Sequence, residues 1–239
     1  MTARCRFAPL LVAALLPALA GAASPPVSVR ARAIRWSDEA RNVEVDITYP
    51  ALAAGTRGAA EFDAFFERQA RRWEARARKI AADPKVLQMA KGGGAGSAIG
   101  AAYSVALATS RLITVVSSGS EYVAGGAHAL PFRTATTFDL ERGRPLGDDD
   151  LFAAGGKKGA VDLVVRKLRK IGGIDAALFA RGGRRAAMDL ANWTFRPDSV
   201  EVVFPVYTVA PYASGEIPVR LSYQELRPFL RANGPLPPR

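Results

Sequence analysis

Cysteine and histidine are almost absent from this chain of 239 residues, which contains one of each. The cysteine is Cys5, close to the N-terminus. The rest of the chain has no thiol, which excludes a cysteine nucleophile, a thiolate-ligated metal and a disulfide-stapled fold. The histidine is His128, and a single imidazole cannot build a histidine-rich metal site.

The motifs of the common catalytic and nucleotide-binding sites are also missing. The sequence has no HExxH, no GxxxxGK followed by Ser or Thr, no GxGxxG after a strand, no GxSxG and no SxxK. A triad of His128, Asp139 and a serine stays formally possible, because triads are defined by geometry rather than by order. The candidate nucleophiles are Ser117, Ser118 and Ser120.

Two further segments admit both a chemical and a structural interpretation. The acids Asp148, Asp149 and Asp150 can be metal ligands, or they can cap the start of a helix and favour its positive end. In "EYVAGGAHALPF" His128 can be a base or a ligand, or the pair Gly125-Gly126 can simply turn the chain between two strands. We expect the structural interpretation in both places, and therefore no catalytic residue, metal site or cofactor.

Only one long apolar run occurs, and it lies at the N-terminus. It follows Arg4 and Arg6, reads "FAPLLVAALLPALA", and leads into the small residues "GAAS". This order predicts a secretory signal peptide over residues 1–23. The alternative is an N-terminal membrane anchor, but the run is shorter than the roughly 20 residues that span a bilayer. We expect an exported protein, periplasmic or extracellular, without a transmembrane span.

Basic residues outnumber acidic ones, and the formal net charge is +11. Losing Arg4 and Arg6 with the signal peptide lowers it to +9. Inside a cell such a charge indicates nucleic acid, whereas an exported protein meets anionic envelope polymers and lipid headgroups. We expect no nucleic-acid partner. Solubility alone is the alternative explanation of the charge.

Hydrophobic periodicity predicts an α+β fold, with a mainly antiparallel sheet and packed helices. In "RNVEVDITYP" apolar and polar residues alternate, as in a strand with one buried face. The predicted strands cover 27–36, 41–50, 101–110, 111–123, 130–140, a hairpin that turns at 196–199, and 215–222. The predicted helices cover 60–81, 159–171, 174–191 and a last short one that a capping box, Ser222 with Glu225, opens.

The predicted helix 60–81 is the most basic segment of the chain. Phe62, Phe65, Phe66, Trp73, Ala77 and Ile80 form one apolar stripe, which favours packing on a sheet. The opposite face carries six basic residues and is either an ordinary solvated face or a docking face for an anionic surface. These residues, the basic face, are Arg68, Arg71, Arg72, Arg76, Arg78 and Lys79.

The glycine-rich segment "KGGGAGSAIG" (91–100) predicts a flexible linker or long loop. It divides the chain after the signal peptide into a β-β-α unit, residues 24–95, and a larger α+β unit, residues 96–239. Composition leaves open whether these are two domains or one.

Two segments resemble a known family. "YVAGGAHALPFRTATTFDLERGRPLGDDDLF" (122–152) and "VFPVYTVAPYASGEIPVRLSYQEL" (203–226) are similar to the exported domain of RsiV-type anti-sigma factors, which also accompanies PdaC-type peptidoglycan deacetylases. The β-β-α unit resembles the smaller PdaC-like domain that precedes it. Gly125, Gly126 and His128 correspond to a signature turn of that family.

The resemblance implies a binding module rather than an enzyme. In RsiV-type proteins this domain binds c-type lysozyme, and in PdaC-type proteins it accompanies a separate catalytic domain. The deacetylase metal motif is absent here, since "TTFDL" ends on Leu140 instead of a second acid. The resemblance thus implies an envelope module that binds a lysozyme-type protein or a peptidoglycan-related glycan, of open oligomeric state.

The candidate contact residues lie in the two similar segments. Exposed aromatic residues commonly anchor interfaces, so Tyr207 and Tyr212, with the neighbouring Pro211, are the first candidates. Tyr122 and His128 flank the signature glycines and are the second. The alternative is that the tyrosines are half-buried structural residues. Two other functions stay open: a scaffold held to an anionic surface through the basic face, and a cell-wall hydrolase that uses His128.

Overall fold

A computed structural model of the protein describes residues 27–92 and 95–236. The predicted signal peptide, residues 1–23, lies outside the described residues. In the part of the chain that is described, no helix is both long and apolar enough to cross a membrane.

Six strands form the larger sheet, and their order in the sheet is their order along the chain. Neighbouring strands are antiparallel except β2 and β3, which run parallel with Val45 opposite Ile99. The strands are β1 (Val29–Asp38), β2 (Val43–Leu52), β3 (Ser97–Ala108), β4 (Leu112–Tyr122), β5 (Leu130–Asp139) and β6 (Arg144–Pro145).

Helix α1 (Ala59–Ala81) covers one face of this sheet and, with α2 (Pro84–Lys91), makes the crossover that a parallel pair requires. Its apolar stripe packs as predicted: the Phe62 ring centroid lies 4.6 Å from Phe66 and 5.3 Å from Phe138 of β5. Both Phe62 and Phe66 are fully buried. At the start of α1, Gly58 has a φ of 70°, and a Cβ there would lie 2.4 Å from the carbonyl oxygen of Leu140.

A second, three-stranded antiparallel sheet packs beside the other face of the first. Its strands are β7 (Trp193–Phe195), β8 (Ser199–Phe204) and β9 (Ile217–Ser222). Strand β7 contacts β3, β4 and β5, while the far side of the sheet meets helices. Those helices are α3 (Asp148–Leu151), α4 (Gly156–Leu168), α5 (Ala176–Leu178), α6 (Arg184–Met188) and α7 (Tyr223–Leu226). The layers therefore run α1, large sheet, small sheet, α4 with α6.

The predicted fold class is confirmed, and so are several local details. The hairpin turns at Arg196, whose N–H donates to the Ser199 carbonyl at 2.9 Å. The capping box of Ser222 and Glu225 opens α7. In β2, Val43, Val45, Ile47 and Tyr49 are all buried, as the alternation predicts.

One prediction needs correction. The predicted loop 91–100 is too long, because β3 already starts at Ser97. Ser97 and Ile99 are buried and pair with Val43 and Val45 of β2, so burial and hydrogen bonding outweigh the glycine-rich composition. The large sheet is mainly antiparallel, as predicted, and contains one parallel pair, β2 with β3. Strands from both sides of residue 95 thus pair in one sheet.

Candidate functional site

The signature glycines lie in the turn that joins β4 to β5. Gly125 has a φ of 83°, in the left-handed region that favours glycine, and a Cβ there would lie 2.6 Å from the Met89 sulfur. Gly126 N–H donates to the Val123 carbonyl at 2.9 Å, which closes the turn. His128 follows on the exposed side of this turn, just before β5 begins.

Three exposed or half-buried rings meet at this turn, and we call them the aromatic cluster: His128, Tyr207 and Tyr212. His128 stacks on Tyr212 with ring centroids 4.1 Å apart and planes at 30°. Tyr207 lies with its ring centroid 5.5 Å from that of Tyr212. The Tyr207 hydroxyl is 3.3 Å from His128 Nε2, and the Tyr212 hydroxyl donates to the Ala129 carbonyl at 3.1 Å. Three residues from distant parts of the chain thereby form one surface.

The loop that carries Tyr207 and Tyr212 is anchored from below. It connects β8 to β9, and Val209 and Ala210 at its centre are buried. The Asp175 N–H donates to the Val209 carbonyl at 2.8 Å, which fixes the loop to the N-terminus of α5. A π-helical turn, Phe179–Gly183, follows α5 and passes close to Thr208. The backbone beneath the cluster is therefore held, although its rings face solvent.

Tyr207 has an unusual backbone conformation. Its φ is 62°, a region where a non-glycine residue is uncommon and costs about 1–2 kcal/mol. Its side chain is 48% exposed, so burial of the ring does not compensate this cost fully. Strain held at an exposed aromatic residue points to a role of that ring outside the fold.

The other two predicted contact residues lie at the margin. Pro211 is exposed and begins the short 3-10 turn Tyr212–Ser214 that presents the Tyr212 ring. Tyr122 is half-buried at the end of β4, opposite Ala98. Among the described residues it has no recorded ring contact with the aromatic cluster. Of the five predicted contact residues, His128, Tyr207 and Tyr212 therefore contact one another. Pro211 lies next to Tyr212, and Tyr122 lies apart from the cluster.

The candidate triad is not assembled. Asp139 is fully buried at the far end of β5, nine residues from Leu130 beside His128, which is about 30 Å along a strand. Its carboxylate accepts from Arg111 Nη2 at 2.9 Å and from the Glu141 N–H at 2.9 Å. Of the serines, Ser117 donates to Gln69 of α1, on the opposite side of the sheet. The Nδ1 atom of His128 instead bonds to the Ala129 carbonyl at 3.0 Å.

Two of the three acids 148–150, Asp148 and Asp150, form ion pairs, and Asp150 also caps the start of α3. Asp150 Oδ2 accepts from the Gly147 N–H at 2.8 Å and from Arg144 at 2.7 Å. The Arg144 guanidinium lowers the pKa of Asp150 to about 2. Asp148 pairs with Lys157. Within residues 27–92 and 95–236 there is no group of three or more acidic, cysteine or histidine side chains placed to hold a metal ion.

The basic face of α1 is exposed, and part of its charge is neutralised. Arg71 and Arg78 both pair with Glu74, at 2.8 and 2.6 Å. Arg76 forms a two-pronged pair with Glu121 of β4, at 2.8 and 3.0 Å. No ion pair is recorded among the described residues for the remaining three. These three, the unpaired basic residues, are Arg68, Arg72 and Lys79.

Comparison with known proteins finds a family model that matches part of this chain. Residues 149–224 match the family described as "Protein of unknown function (DUF3298)". That segment covers the small sheet, its helices and the loop that carries Tyr207 and Tyr212. None of the curated proteins matches the chain in sequence.

Two crystal structures share the fold. One is a member of the DUF3298 family from Bacteroides fragilis, with a TM-score of 0.65, 20% identity, and coverage of 87% of this chain and 95% of that one. The other is a DUF3298 family protein from Pseudomonas aeruginosa PAO1, with a TM-score of 0.56, 16% identity, and coverage of 87% and 96%. Both likenesses extend across the two sheets, and they concern the fold alone. A specific relationship to RsiV-type or PdaC-type proteins stays a resemblance.

Proposed function

We propose that this protein is an exported, non-catalytic binding module of the cell envelope, and that the aromatic cluster is its docking surface. One observation carries the proposal: His128, Tyr207 and Tyr212 form an exposed ring surface on a backbone that is anchored from below. Rigid aromatic rings that are already ordered lose little conformational entropy when they bind a partner.

The strained backbone at Tyr207 supports the same proposal. A φ of 62° keeps this ring outside the fold, beside Tyr212, where it contributes little to the hydrophobic core. Aromatic residues are enriched among the few residues that dominate binding energy in interfaces. The segment of family resemblance, 203–226, contains both tyrosines, which agrees with a ligand-binding role for this loop.

The resemblance supplies two ligand classes, a c-type lysozyme and a peptidoglycan-related glycan. Charge favours the glycan, because lysozymes of that type are strongly basic and this chain without its predicted signal peptide carries a formal net charge of +9. Like charges slow association and weaken contacts at the rim of an interface. Flat aromatic rings also suit the apolar faces of sugar rings, so we expect glycan fragments to bind more tightly.

Calorimetry of the purified protein against soluble peptidoglycan fragments and against lysozyme tests the proposal. We expect saturable heat with one of them, and a loss of at least tenfold in affinity for Tyr207→Ala and Tyr212→Ala. Met188→Ala is the matched control, because Met188 is 41% exposed and lies on α6, outside the cluster. Absence of heat with both ligands, or equal affinities for wild type and both tyrosine variants, would overturn the proposal.

The unpaired basic residues favour a second candidate function, attachment to an anionic envelope surface. Arg68, Arg72 and Lys79 are exposed along α1. Binding to vesicles that contain anionic lipid is expected to weaken as salt rises, since about 0.1 M salt screens charges beyond roughly 10 Å.

A pair of triple variants sharpens this second test. Replacing Arg68, Arg72 and Lys79 by Gln removes unpaired charge, whereas replacing Arg71, Arg76 and Arg78 removes charge that glutamates already balance. We expect the first triple variant to lose more vesicle binding. This function would be excluded if vesicle binding did not change with salt concentration and was the same for both triple variants.

A further inference from the structure

A groove of about 460 Å³ opens between the two sheets, close to the end that bears the aromatic cluster. One wall is the face of the large sheet that points away from α1, with Val116 and Arg133. The other wall is the inner face of the small sheet, with Val203, Glu216 and Pro218. The volume lies in the range of small-molecule pockets.

The register of the strands explains why polar groups line this gap. Thr194 of β7 lies opposite Glu201 of β8, so both side chains project from the inner face of the small sheet. On β5, Arg133 falls on the same face as the buried Thr137, which faces away from α1. The apolar filling that closes the space between the sheets elsewhere is therefore replaced here by charged side chains.

One charged pair that lines the groove, Arg133 with Glu216, is poorly matched. The side chain of Arg133 is only 11% exposed, yet its Nε lies 3.9 Å from Glu216 Oε2, too far for a hydrogen bond. Its one recorded hydrogen bond runs from Nη2 to Thr194 Oγ1 at 2.6 Å. A guanidinium has five N–H donors. Among the described residues, this half-buried cation has one hydrogen-bond acceptor, Thr194 Oγ1, for its five donors.

A second arginine repeats the pattern. Arg196 Nη2 donates to Glu201 at 3.1 Å, but its Nε is buried without a hydrogen-bond partner among the described residues. Glu216 has no recorded partner closer than Arg133. Burial lowers the pKa of Arg133 and raises the pKa of Glu216, because the charged form of each group has lost part of its contact with water.

We propose that this groove is a binding site for a free α-amino acid with an apolar side chain. The ligand carboxylate accepts the unused N–H groups of Arg133, and the ligand ammonium donates to Glu216. The match is geometric, because an α-amino acid carries both charges on one carbon and Arg133 and Glu216 stand side by side. Planar guanidinium groups bind carboxylates through two parallel hydrogen bonds.

The apolar walls determine the expected side chain. Val105, Val116, Val203 and Pro218 line the groove beside the charged pair. Val116 lies on one wall and Val203 with Pro218 on the other, so an aliphatic ligand side chain would contact apolar surface on both sides. Leucine is therefore the first probe. This site does not depend on the aromatic cluster being the docking surface, because Tyr207 and Tyr212 do not line the groove.

Titration of the protein with L-leucine and D-leucine, followed by NMR chemical shifts, tests the proposal. N-acetylleucine removes the ammonium and leucinamide removes the carboxylate, and we expect each to bind at least tenfold more weakly than the better leucine enantiomer. Equal binding of leucine and both blocked forms would contradict the proposal. So would the absence of saturable shifts with either enantiomer at tens of millimolar.

Two variants assign the roles, and a third is the control. Arg133→Gln is expected to lose leucine binding by at least tenfold, while Arg68→Gln, the same charge change on α1, stays within twofold. Glu216→Gln removes the partner of the ligand ammonium. We therefore expect it to reduce the ratio of the affinity for leucine to the affinity for N-acetylleucine. Because Glu216 is 35% exposed, that variant keeps the test valid even if Arg133→Gln fails to fold. Tyr207→Ala should leave leucine binding unchanged, so this site and the docking surface can fail separately.

Discussion

The two faces of the large sheet are built differently. The face toward α1 is a continuous apolar core, where Phe62, Phe66 and Phe138 meet edge to face or tilted. The face toward the small sheet carries Thr114, Arg133 and Asp139 among its apolar residues. There the Thr114 and Thr137 hydroxyls bond to each other at 2.8 Å, deep in the interior.

The two faces contribute differently: the α1 face contributes to the stability of the fold, and the face toward the small sheet also carries the proposed leucine site. On the α1 face the large aromatic side chains of α1 and β5 pack on one another. On the other face polar groups must be paired one by one, and the pairing is complete near Asp139 but incomplete near Arg133. The incomplete end is also where the aromatic cluster lies, so both proposed sites occupy one end of the molecule.

The largest expected effect tests the α1 face. Phe62→Ala removes a fully buried ring and leaves a cavity, which costs about 3–5 kcal/mol of unfolding free energy. Phe65→Ala is the control on the same helix, because Phe65 is only half-buried and should cost less. Urea unfolding measures both. Equal losses would mean that this face is not the tightly packed one.

The second largest expected effect tests the polar network around Asp139, on the face of the large sheet that points toward the small sheet. Asp139→Ala leaves Arg111 and the N–H groups of Glu141 and Arg142 without their acceptor, at a cost of about 3 kcal/mol. The control is Asp46→Ala, because Asp46 pairs with Arg35 on the surface and such pairs contribute less than about 1 kcal/mol. If the two variants are equally stable in thermal unfolding, the buried polar network contributes nothing.

A pH dependence tests the ion pairs beyond Asp139, where Arg144 holds the pKa of Asp150 at about 2. A lowered pKa stabilises the fold fully above the ordinary aspartate value and loses that contribution as the pH falls through about 2. Solvent screening limits the contribution to about 1 kcal/mol. The stability gap between wild type and Asp150→Asn should be constant above pH 5 and shrink toward pH 2. A gap that stays constant to pH 2 would contradict this.

Much of the fold is predictable from the sequence because its signals are local. The alternation in β2, the aromatic stripe of α1 and the capping box at Ser222 each depend on neighbours within a few residues. The parallel pairing of β2 with β3 depends on residues more than 50 positions apart, such as Val43 and Ser97, so no local pattern could indicate it. Glycine-rich composition suggested a loop where burial produces a strand.

For the candidate sites, too, the sequence indicates local features but not contacts between distant residues. Tyr207, Tyr212 and His128 could be selected as exposed aromatic residues in the segments of resemblance, but their contact joins positions 79 residues apart. The left-handed φ of Tyr207 has no signal in its residue type. The inter-sheet groove was missed, because in the sequence Arg133 and Glu216 look like ordinary surface charges. Only the packing of two sheets makes them a poorly matched, half-buried pair.

The smallest expected effect concerns the strain at Tyr207, and a pair of variants isolates it. Tyr207→Ala and Tyr207→Gly both remove the ring, but alanine keeps the cost of a φ near 62° while glycine does not. At an ordinary position glycine is the less stable of the two, since it has more conformational entropy to lose on folding. Here we expect Tyr207→Gly to be more stable than Tyr207→Ala by about 0.5–1 kcal/mol in urea unfolding. The reverse order would mean that the loop relaxes out of the left-handed conformation, and then the ring surface is not held in advance of its ligand.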